Sequence, residues 1–241
     1  MPLPAPQGDD DKESRGRVLV IGGEVSLPGA VVLAGIAALR AGAGKLQIAT
    51  CRSTAAPIGI AVPESLSLGL KETRDGSIHP EAASSVRDLV EEADAILIGP
   101  GMTSSQSNLR LTSSLLRVRT KASVVLDAGA LGVLTGSDDA LRPFDGRAVV
   151  TPHRSEMAAI LGAEPEEISA LAPYIALNAS ATFNSVVALK GATTFIATPE
   201  GDLFLYECGD VGLATSGSGD TLAGIVAGLL ARGADPVPAA L

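Results

Sequence analysis

The segment Gly217-Ser218-Gly219-Asp220 combines two glycines with an acidic residue just before an apolar stretch. That stretch predicts a helix from about 218 to 232, and glycines before a helix let several backbone N–H groups converge. Together with the helix dipole, these groups form an anion site that suits a phosphoryl group in transfer. Asp220 would lie in the first turn, close to that anion. We interpret Asp220 as a general base, and the alternative is a residue that only caps the helix.

Lys190 ends an apolar strand and precedes a turn that contains Thr193 and Thr194. A lysine at the end of a strand is usually a solvated charge, but this one could contact phosphate or ribose together with neighbouring amides. The Walker pattern and the GxGxxG pattern of nucleotide-binding proteins are both absent, so neither motif supports the interpretation.

His153 begins a helix after Thr-Pro and is either a structural residue or part of a site. Glu156 is expected to cap that helix. Asp127 also ends a strand, where contact with ribose, contact with a metal-bound water and a plain turn role all remain open. His79 has no comparable surroundings, and we expect it to be structural or exposed.

Short apolar strands alternate with helical segments, which predicts a parallel sheet with helices on both faces. In such sheets ligands bind beyond the carboxyl ends of the strands, where the candidate residues fall. The predicted strands are 17–23, 46–50, 94–99, 123–128 and 148–152, followed by an antiparallel hairpin formed from 186–191, 193–198 and 202–207. The predicted helices are 29–42, 81–92, 106–118, 130–135, 155–161, 166–182 and 218–232. We expect residues 1–16 to be a flexible tail and 17–241 a single domain.

The composition excludes several classes of partner. The 241 residues carry 18 basic and 27 acidic side chains, a net charge of −9, with 2% aromatic residues and no tryptophan. Nucleic acids and anionic membranes need clustered basic charge, so neither is expected to bind. Cys51 and Cys208 match no zinc-binding or disulfide pattern, and we expect each to be a buried free thiol. With no signal peptide and no apolar stretch long enough for a membrane span, these features predict a soluble cytoplasmic protein.

With these residues identified, the chain resembles the ADP/ATP-dependent NAD(P)H-hydrate dehydratase family, the carbohydrate-kinase-like branch of the ribokinase-like superfamily. The resemblance runs from about Arg17 to Leu241. It implies a three-layer α/β/α sandwich with a mostly parallel sheet and an antiparallel hairpin near the C-terminus. The matching segments are 22–44, ADAILIGPGM (93–102), VVLDAGAL (124–131), VVTPHRSEM (149–157), LKGATT (189–194) and GLATSGSGDTLAGIVAGLLARG (212–233).

The resemblance also implies roles for individual residues. The hydrated nicotinamide cofactor would contact Ala30, Gly101, His153 and Asp220, with Asp220 catalytic. The adenine nucleotide, ADP in preference to ATP, would contact two segments. These are Lys190, Gly191, Ala192, Thr193 and Thr194 in the first, and Gly217, Ser218 and Gly219 in the second. Mg²⁺ should accompany the nucleotide, although no sequence feature identifies its ligands, and a homo-oligomer is expected.

Three motifs depart from the usual family pattern. The family's DADAL has Gly129 in place of the second aspartate. TPHPGE becomes TPHRSE with Arg154 and Ser155, and GGSGD begins with Ser216.

The implied reaction restores NADH or NADPH from the S epimer of its hydrate, after phosphorylation has turned the hydroxyl into a good leaving group. A small-molecule kinase acting on a sugar or vitamin-precursor alcohol would use the same anion site and base but retain the phosphate on its product. A non-catalytic nucleotide-binding homologue is the third reading, and retention of Asp220 argues against it.

Overall fold

A computed structural model of the protein describes residues 3–4, 11–207, 209 and 211–241. Within these residues nine strands form one sheet in the order β3-β2-β1-β4-β5-β6-β7-β8-β9. Strand pairs are parallel from β3 across to β7, whereas β8 is antiparallel to both β7 and β9. The strands are β1 (Arg17–Ile21), β2 (Lys45–Cys51), β3 (Ser65–Leu70), β4 (Ala95–Ile98), β5 (Ser123–Leu126), β6 (Ala148–Val150), β7 (Val186–Leu189), β8 (Thr194–Ala197) and β9 (Leu203–Tyr206).

Helices cover both faces of the sheet. The α-helices are α1 (Gly29–Arg40), α2 (Arg52–Ala61), α3 (Arg87–Glu92), α4 (Gln106–Leu115), α5 (Arg154–Leu161), α6 (Pro165–Ala170), α7 (Ala172–Phe183), α8 (Ser218–Ala231) and α9 (Pro236–Ala240). Shorter 3₁₀ segments occupy 80–86, 128–134, 142–144 and 211–213.

The alternation of side chains along β1 divides the core into two layers. Val18 and Val20 pack with α1, α8 and α9 on one face. Leu19 and Ile21 pack with α3, α4, α5 and α7 on the other. Because both faces are buried, the central strands are almost continuously apolar. The predicted three-layer sandwich with a C-terminal antiparallel hairpin is therefore confirmed.

Helices α1 and α8 pack backbone against backbone. A Cβ atom added to Gly224 would lie 2.2 Å from the carbonyl oxygen of Ala34, and one added to Gly228 would lie 2.4 Å from that of Ala38. Only glycine permits this approach, because any side chain would force the helices apart. The contact holds the beginning of α8 beside the beginning of α1.

The sequence-based prediction missed α2, β3 and α9, and it treated α6 and α7 as one helix. Helix α2 contains Pro57, and β3 is the edge strand with the half-exposed Ser-Leu alternation SLSLGL, so neither segment has a strong sequence signal. Helix α9 was also not predicted. The helix expected over 166–182 is two helices, α6 and α7, which meet at Leu171 just before Pro173.

Some predictions concern the chain termini and cysteines. Residues 1–2, 5–10, 208 and 210 lie outside the described residues, and with them most of the expected tail and Cys208. In residues 11–16, the carbonyl of Gly16 accepts hydrogen bonds from the N–H groups of Gly44 and Lys45.

Cys51 is a buried free thiol, and burial raises its pKa to about 11, which leaves it unreactive at neutral pH. No helix in the described part of the chain is long and apolar enough to span a membrane.

Candidate active site

The carboxyl ends of the parallel strands carry the residues that the sequence singled out. Gly22 follows β1, Gly99 follows β4, Asp127 follows β5 and Lys190 follows β7. The ends of β6 and β7 stay in register beyond the strands, since the Lys190 N–H donates to the carbonyl of Pro152 at 2.8 Å and His153 forms a bridge with Lys190. His153 and Lys190 therefore stand side by side at this edge.

Lys190 is held by a buried carboxylate. Its Nζ lies 2.9 Å from Oδ1 of Asp127, which is 3% exposed and also accepts a hydrogen bond from the Thr151 hydroxyl at 2.7 Å. The ion pair fixes the ammonium at the mouth of the sheet and resolves the role that the sequence left open for Asp127. Asp127 orients Lys190.

The beginning of α8 lies next to this ammonium. Gly217 is the N-cap residue with a left-handed φ of +87°, a conformation that glycine adopts without strain. A Cβ atom on Gly219 would stand 3.4 Å from Lys190 Nζ. The structure thus brings the predicted anion site, Gly217 to Gly219, together with Lys190, and N–H groups and an ammonium face the same space.

Asp220 is half-buried in the first turn of α8 and does not act as its cap. The described residues donate no hydrogen bond to its carboxylate. Desolvation raises the pKa of Asp220, and the negative charges of Asp127 and Glu156 raise it further, whereas Lys190 lowers it. An unengaged carboxylate with a raised pKa is suited to take a proton, which favours the base over the cap.

His153 and Glu156 cap α5 reciprocally. The Nδ1 atom of His153 accepts from the N–H groups of Ser155 and Glu156, and Oε2 of Glu156 accepts from the N–H of His153 at 2.7 Å. The expected capping role of Glu156 is confirmed, with His153 as its partner. Desolvation raises the pKa of Glu156. The His153 side chain is 53% exposed, and its Nε2 lies 3.5 Å from Oε1 of Glu156.

Ala30 and Gly101 adjoin one another on the other side of α8. A Cβ on Gly101, whose φ is +67°, would lie 2.9 Å from the Cβ of Ala30 and 2.5 Å from the carbonyl oxygen of Leu27. A Cβ on Gly217 would lie 2.4 Å from Leu33 in the first turns of α1. The beginning of α8 therefore lies beside Leu33 of α1 as well as beside Lys190.

A cavity of about 580 Å³ opens beside the segment that follows β7. It is large enough for a nucleoside. Its walls combine apolar side chains with polar groups and include every residue from Lys190 to Thr193, while Thr194 begins β8 just beyond them. The lining residues are His153, Arg154, Ser155, Ile168, Ser169, Ala172, Leu189, Lys190, Gly191, Ala192, Thr193 and Phe195.

The donors at this edge fit Mg²⁺ that arrives on a nucleotide. The negative charges of Asp127 and Glu156 raise the pKa of Asp220, and that of Asp127 raises the pKa of Glu156, so a divalent cation would be favoured there. In the described part of the chain, however, no three acidic, histidine or cysteine side chains form a group that could hold a metal. Mg²⁺ typically takes one or two carboxylates, with phosphates and water supplying the rest.

The departure at Gly129 has a packing reason. A Cβ at this position would lie 2.4 Å from the carbonyl oxygen of Thr103 and 2.6 Å from that of Met102. The Gly129 N–H donates to the Met102 carbonyl at 3.2 Å. Glycine at this position therefore allows the backbone of the loop after β4 to contact the backbone of the segment after β5.

Sequence reasoning missed Glu24, which lies in the loop after β1. Its side chain is 5% exposed and accepts hydrogen bonds from three other residues. The available signal was an acidic residue directly after two glycines at the end of a buried strand.

The chain is similar to known proteins along nearly its whole length. A family model described as NAD(P)H-hydrate dehydratase matches residues 18–241. An ADP-dependent (S)-NAD(P)H-hydrate dehydratase from Xanthomonas campestris is 46% identical over 240 residues, which cover 100% of this chain and 80% of that protein.

Two solved structures share the fold along nearly the whole chain. The ADP/ATP-dependent NAD(P)H-hydrate dehydratase of Bacillus subtilis, co-crystallised with ATP and Mg²⁺, has a TM-score of 0.79 and 31% identity, covering 99% of this chain and 80% of that one. A ribokinase-like superfamily protein from Enterococcus faecalis has a TM-score of 0.81 and 28% identity, with coverages of 95% and 76%.

Proposed function

The chain belongs to the NAD(P)H-hydrate dehydratase family, and from that premise we propose that it is an ADP-dependent lyase that restores NADH or NADPH from the S epimer of the hydrated cofactor. The observation that carries the proposal is the meeting of three features at one sheet edge. They are the N–H groups at the start of α8, the Lys190 ammonium and the unengaged Asp220 carboxylate. Phosphoryl transfer requires an anion site, positive charge and a base.

The nucleotide takes the side of α8 that faces β7. Its adenosine enters the cavity bounded by Lys190, Gly191, Ala192 and Thr193, with Thr194 at its margin. Its terminal phosphate meets the N–H groups of the segment Gly217, Ser218 and Gly219, which the position of Lys190 Nζ supports. The overall charge of −9 does not oppose this, because the field at the phosphate comes from the helix end and one lysine.

The hydrated nicotinamide takes the opposite side. Ala30 and Gly101 form a surface of small residues that a flat ring can approach. His153, which stands beside Lys190 and lines the nucleotide cavity, would reach the hydrate from that side with its exposed ring. Asp220 stands between this surface and the phosphate site, which is the place for a base that takes a proton from the attacking hydroxyl.

The reaction then proceeds in two steps. Asp220 accepts the proton of the hydrate's hydroxyl while that oxygen attacks the terminal phosphorus of ADP, and AMP leaves. The anion site at the start of α8 stabilises the negative charge on the phosphoryl group during its transfer. The ring nitrogen's electron pair next assists departure of inorganic phosphate, and loss of a proton from the neighbouring ring carbon restores the reduced nicotinamide.

Mg²⁺ would neutralise phosphate charge when it is bound with the nucleotide. Glu156 is the carboxylate that this edge offers to the ion and its water shell, because Asp127 is paired with Lys190 and Asp220 acts as the base.

One incubation tests the proposal against its alternatives. The protein is mixed with purified S-epimer hydrate and either ADP or ATP, and near-ultraviolet absorbance and free phosphate are followed together. A dehydratase releases phosphate and reduced nicotinamide in equal amounts. A kinase acting on another alcohol would leave the hydrate unchanged, and a non-catalytic homologue would bind ADP without turnover of any hydroxylated acceptor.

We also propose a cytoplasmic homo-oligomer. The exposed apolar side chains Tyr206 in β9 and Val211 and Leu213 in the segment before α8 support self-association. Light scattering of the purified protein tests it, and a monomer at micromolar concentration would refute it.

A further inference from the structure

Glu24 is a buried carboxylate that the reaction above does not use. It follows β1 and the two glycines of the first loop, and one of its oxygens, Oε1, accepts four hydrogen bonds. The donors are the Ser77 hydroxyl at 2.9 Å, the N–H and hydroxyl of Thr103 at 3.2 and 2.9 Å, and the Asn108 amide at 2.6 Å. Burial of a charge is unfavourable unless donors surround it, as they do here.

These donors belong to the segments that form the hydrate side of the site. Thr103 stands two residues after Gly101, and Glu24 six residues before Ala30. The backbone joins the same two loops, since Gly23 N–H donates to Pro100 at 2.8 Å and Glu24 N–H to Gly101 at 3.0 Å. The Glu24 carboxylate therefore links the loop after β1 to the loop after β4 through hydrogen bonds.

Asn108 and Ser77 complete the attachment. The Asn108 amide also donates to the carbonyl of Thr103 at 2.8 Å, so Thr103 is held through both of its peptide groups. Ser77 lies in a separate loop, whose Gly76 carbonyl accepts from Val25 at 3.0 Å. The side chain of Glu24 thus joins three loops and the first turn of α4.

We propose that Glu24 is a positioning residue for the hydrated nicotinamide, fixing the separation between Ala30 and Gly101. This inference rests on the proposed function. Glu24 contacts neither Lys190 nor α8 among the described residues, so its loss should affect the hydrate side and spare the nucleotide side. A small displacement between surfaces that position a substrate is enough to impair its binding and orientation.

The test compares kinetics with nucleotide affinity in two pairs of variants. Glu24→Gln keeps the shape but removes the charge that strengthens the four hydrogen bonds, and Thr103→Val removes one hydroxyl from the exposed end of the network. We expect each to raise KM for the hydrate about tenfold, as loss of charge-assisted hydrogen bonds implies, with kcat within about threefold and ADP affinity within about twofold. Thr103→Ser, which keeps the hydroxyl, and Ser84→Ala, an exposed residue whose hydroxyl bonds only the carbonyl of Glu81, serve as controls and should remain near wild type.

Equal losses in hydrate KM and ADP affinity would overturn the proposal, because they would indicate a general structural role. Unchanged hydrate KM in both Glu24→Gln and Thr103→Val would also overturn it. Hydrogen exchange gives a readout without turnover. Faster exchange confined to 22–30 and 99–103 in Glu24→Gln supports the proposal even if wild type lacks dehydratase activity, and unchanged exchange there contradicts it.

Discussion

Lys190 Nζ lies 2.9 Å from Asp127 Oδ1, and the same ammonium is next to Gly219 at the start of α8. A buried anion therefore holds the cation that would meet a phosphate. The pairing keeps Lys190 extended toward α8 before any ligand arrives, so less side-chain entropy is lost on binding. The following predictions test this arrangement.

Lys190→Met should weaken ADP binding by tenfold or more, because a charge-assisted contact with phosphate is lost. It should also lower stability, by as much as about 3 kcal/mol, because Asp127 is left buried without its partner. Calorimetric titration with ADP and chemical denaturation measure the two effects. Adding Asp127→Asn should restore much of the stability while affinity stays low. Recovery of affinity in that double variant would show that Lys190 serves only the fold.

Gly219→Ala should separate binding from folding. Its Cβ would approach only the flexible end of Lys190, at 3.4 Å, and the glycine has no left-handed φ, so the helix tolerates the methyl group. Stability should stay the same or rise, since alanine favours helices. The methyl group would occupy the space between the N–H groups and Lys190, and we expect ADP affinity to fall at least tenfold. Gly59→Ala in α2, which also meets only ordinary contacts, is the matched control.

Asp220→Asn should reduce turnover by about 10²–10⁴-fold, because an amide cannot accept the hydroxyl proton. Folding and ADP affinity should be retained, with affinity rising slightly as a negative charge beside the phosphate is removed. Initial rates and ADP titration measure these effects. A variant that keeps more than about a tenth of the rate falls outside the general-base range and would contradict the assignment.

Thermal unfolding of Asp220→Asn gives a second test of the environment of Asp220. The folded state raises the pKa of Asp220, chiefly by desolvation, and so favours the protonated form. This contribution to stability is present below the unfolded pKa of about 3.9 and is lost as pH rises through the folded value. At neutral pH, Asp220→Asn should therefore melt no lower than wild type.

The pH dependence of kcat/KM should reflect the raised pKa of Asp220. Because the base acts only when ionised, kcat/KM falls as pH decreases through the raised pKa of Asp220, at a higher pH than an exposed aspartate would give. Asp127→Asn removes one of the negative charges that raise this pKa, so the acid limb should move to lower pH. A limb that vanishes in Glu156→Gln would assign the titration to Glu156 instead, since Asp127 raises the pKa of both carboxylates.

Sequence patterns predicted much of the fold because most strands are apolar on both sides and most helices have clear apolar periodicity. The weak segments were those that tertiary contacts stabilise. Pro57 lies inside α2, and β3 is exposed at the sheet edge, so local propensity argues against or says little about either element. The residues of the site could be chosen because Gly-rich turns and strand ends mark where ligands bind.

The partners of those residues could not be predicted. Asp127 and Lys190 are 63 positions apart, and Glu24 and Asn108 are 84 apart, so nothing local links them. The His153 cap was also missed, because histidine is not among the usual N-cap residues. Such pairings depend on which strands become neighbours, information that no short stretch of sequence contains.

The close contact of α8 with α1 affects how the protein is synthesised. Ribosomes release the N-terminal strands and α1 first, and Val18, Val20 and Ala34 then form part of an apolar surface that α8 and α9 later complete. Nearly the whole chain must emerge before that surface is hidden. A nascent chain stopped before Ser218 would expose it to chaperones and proteases and could not bind a nucleotide. Emergence of α8, burial of this surface and formation of the anion site therefore coincide.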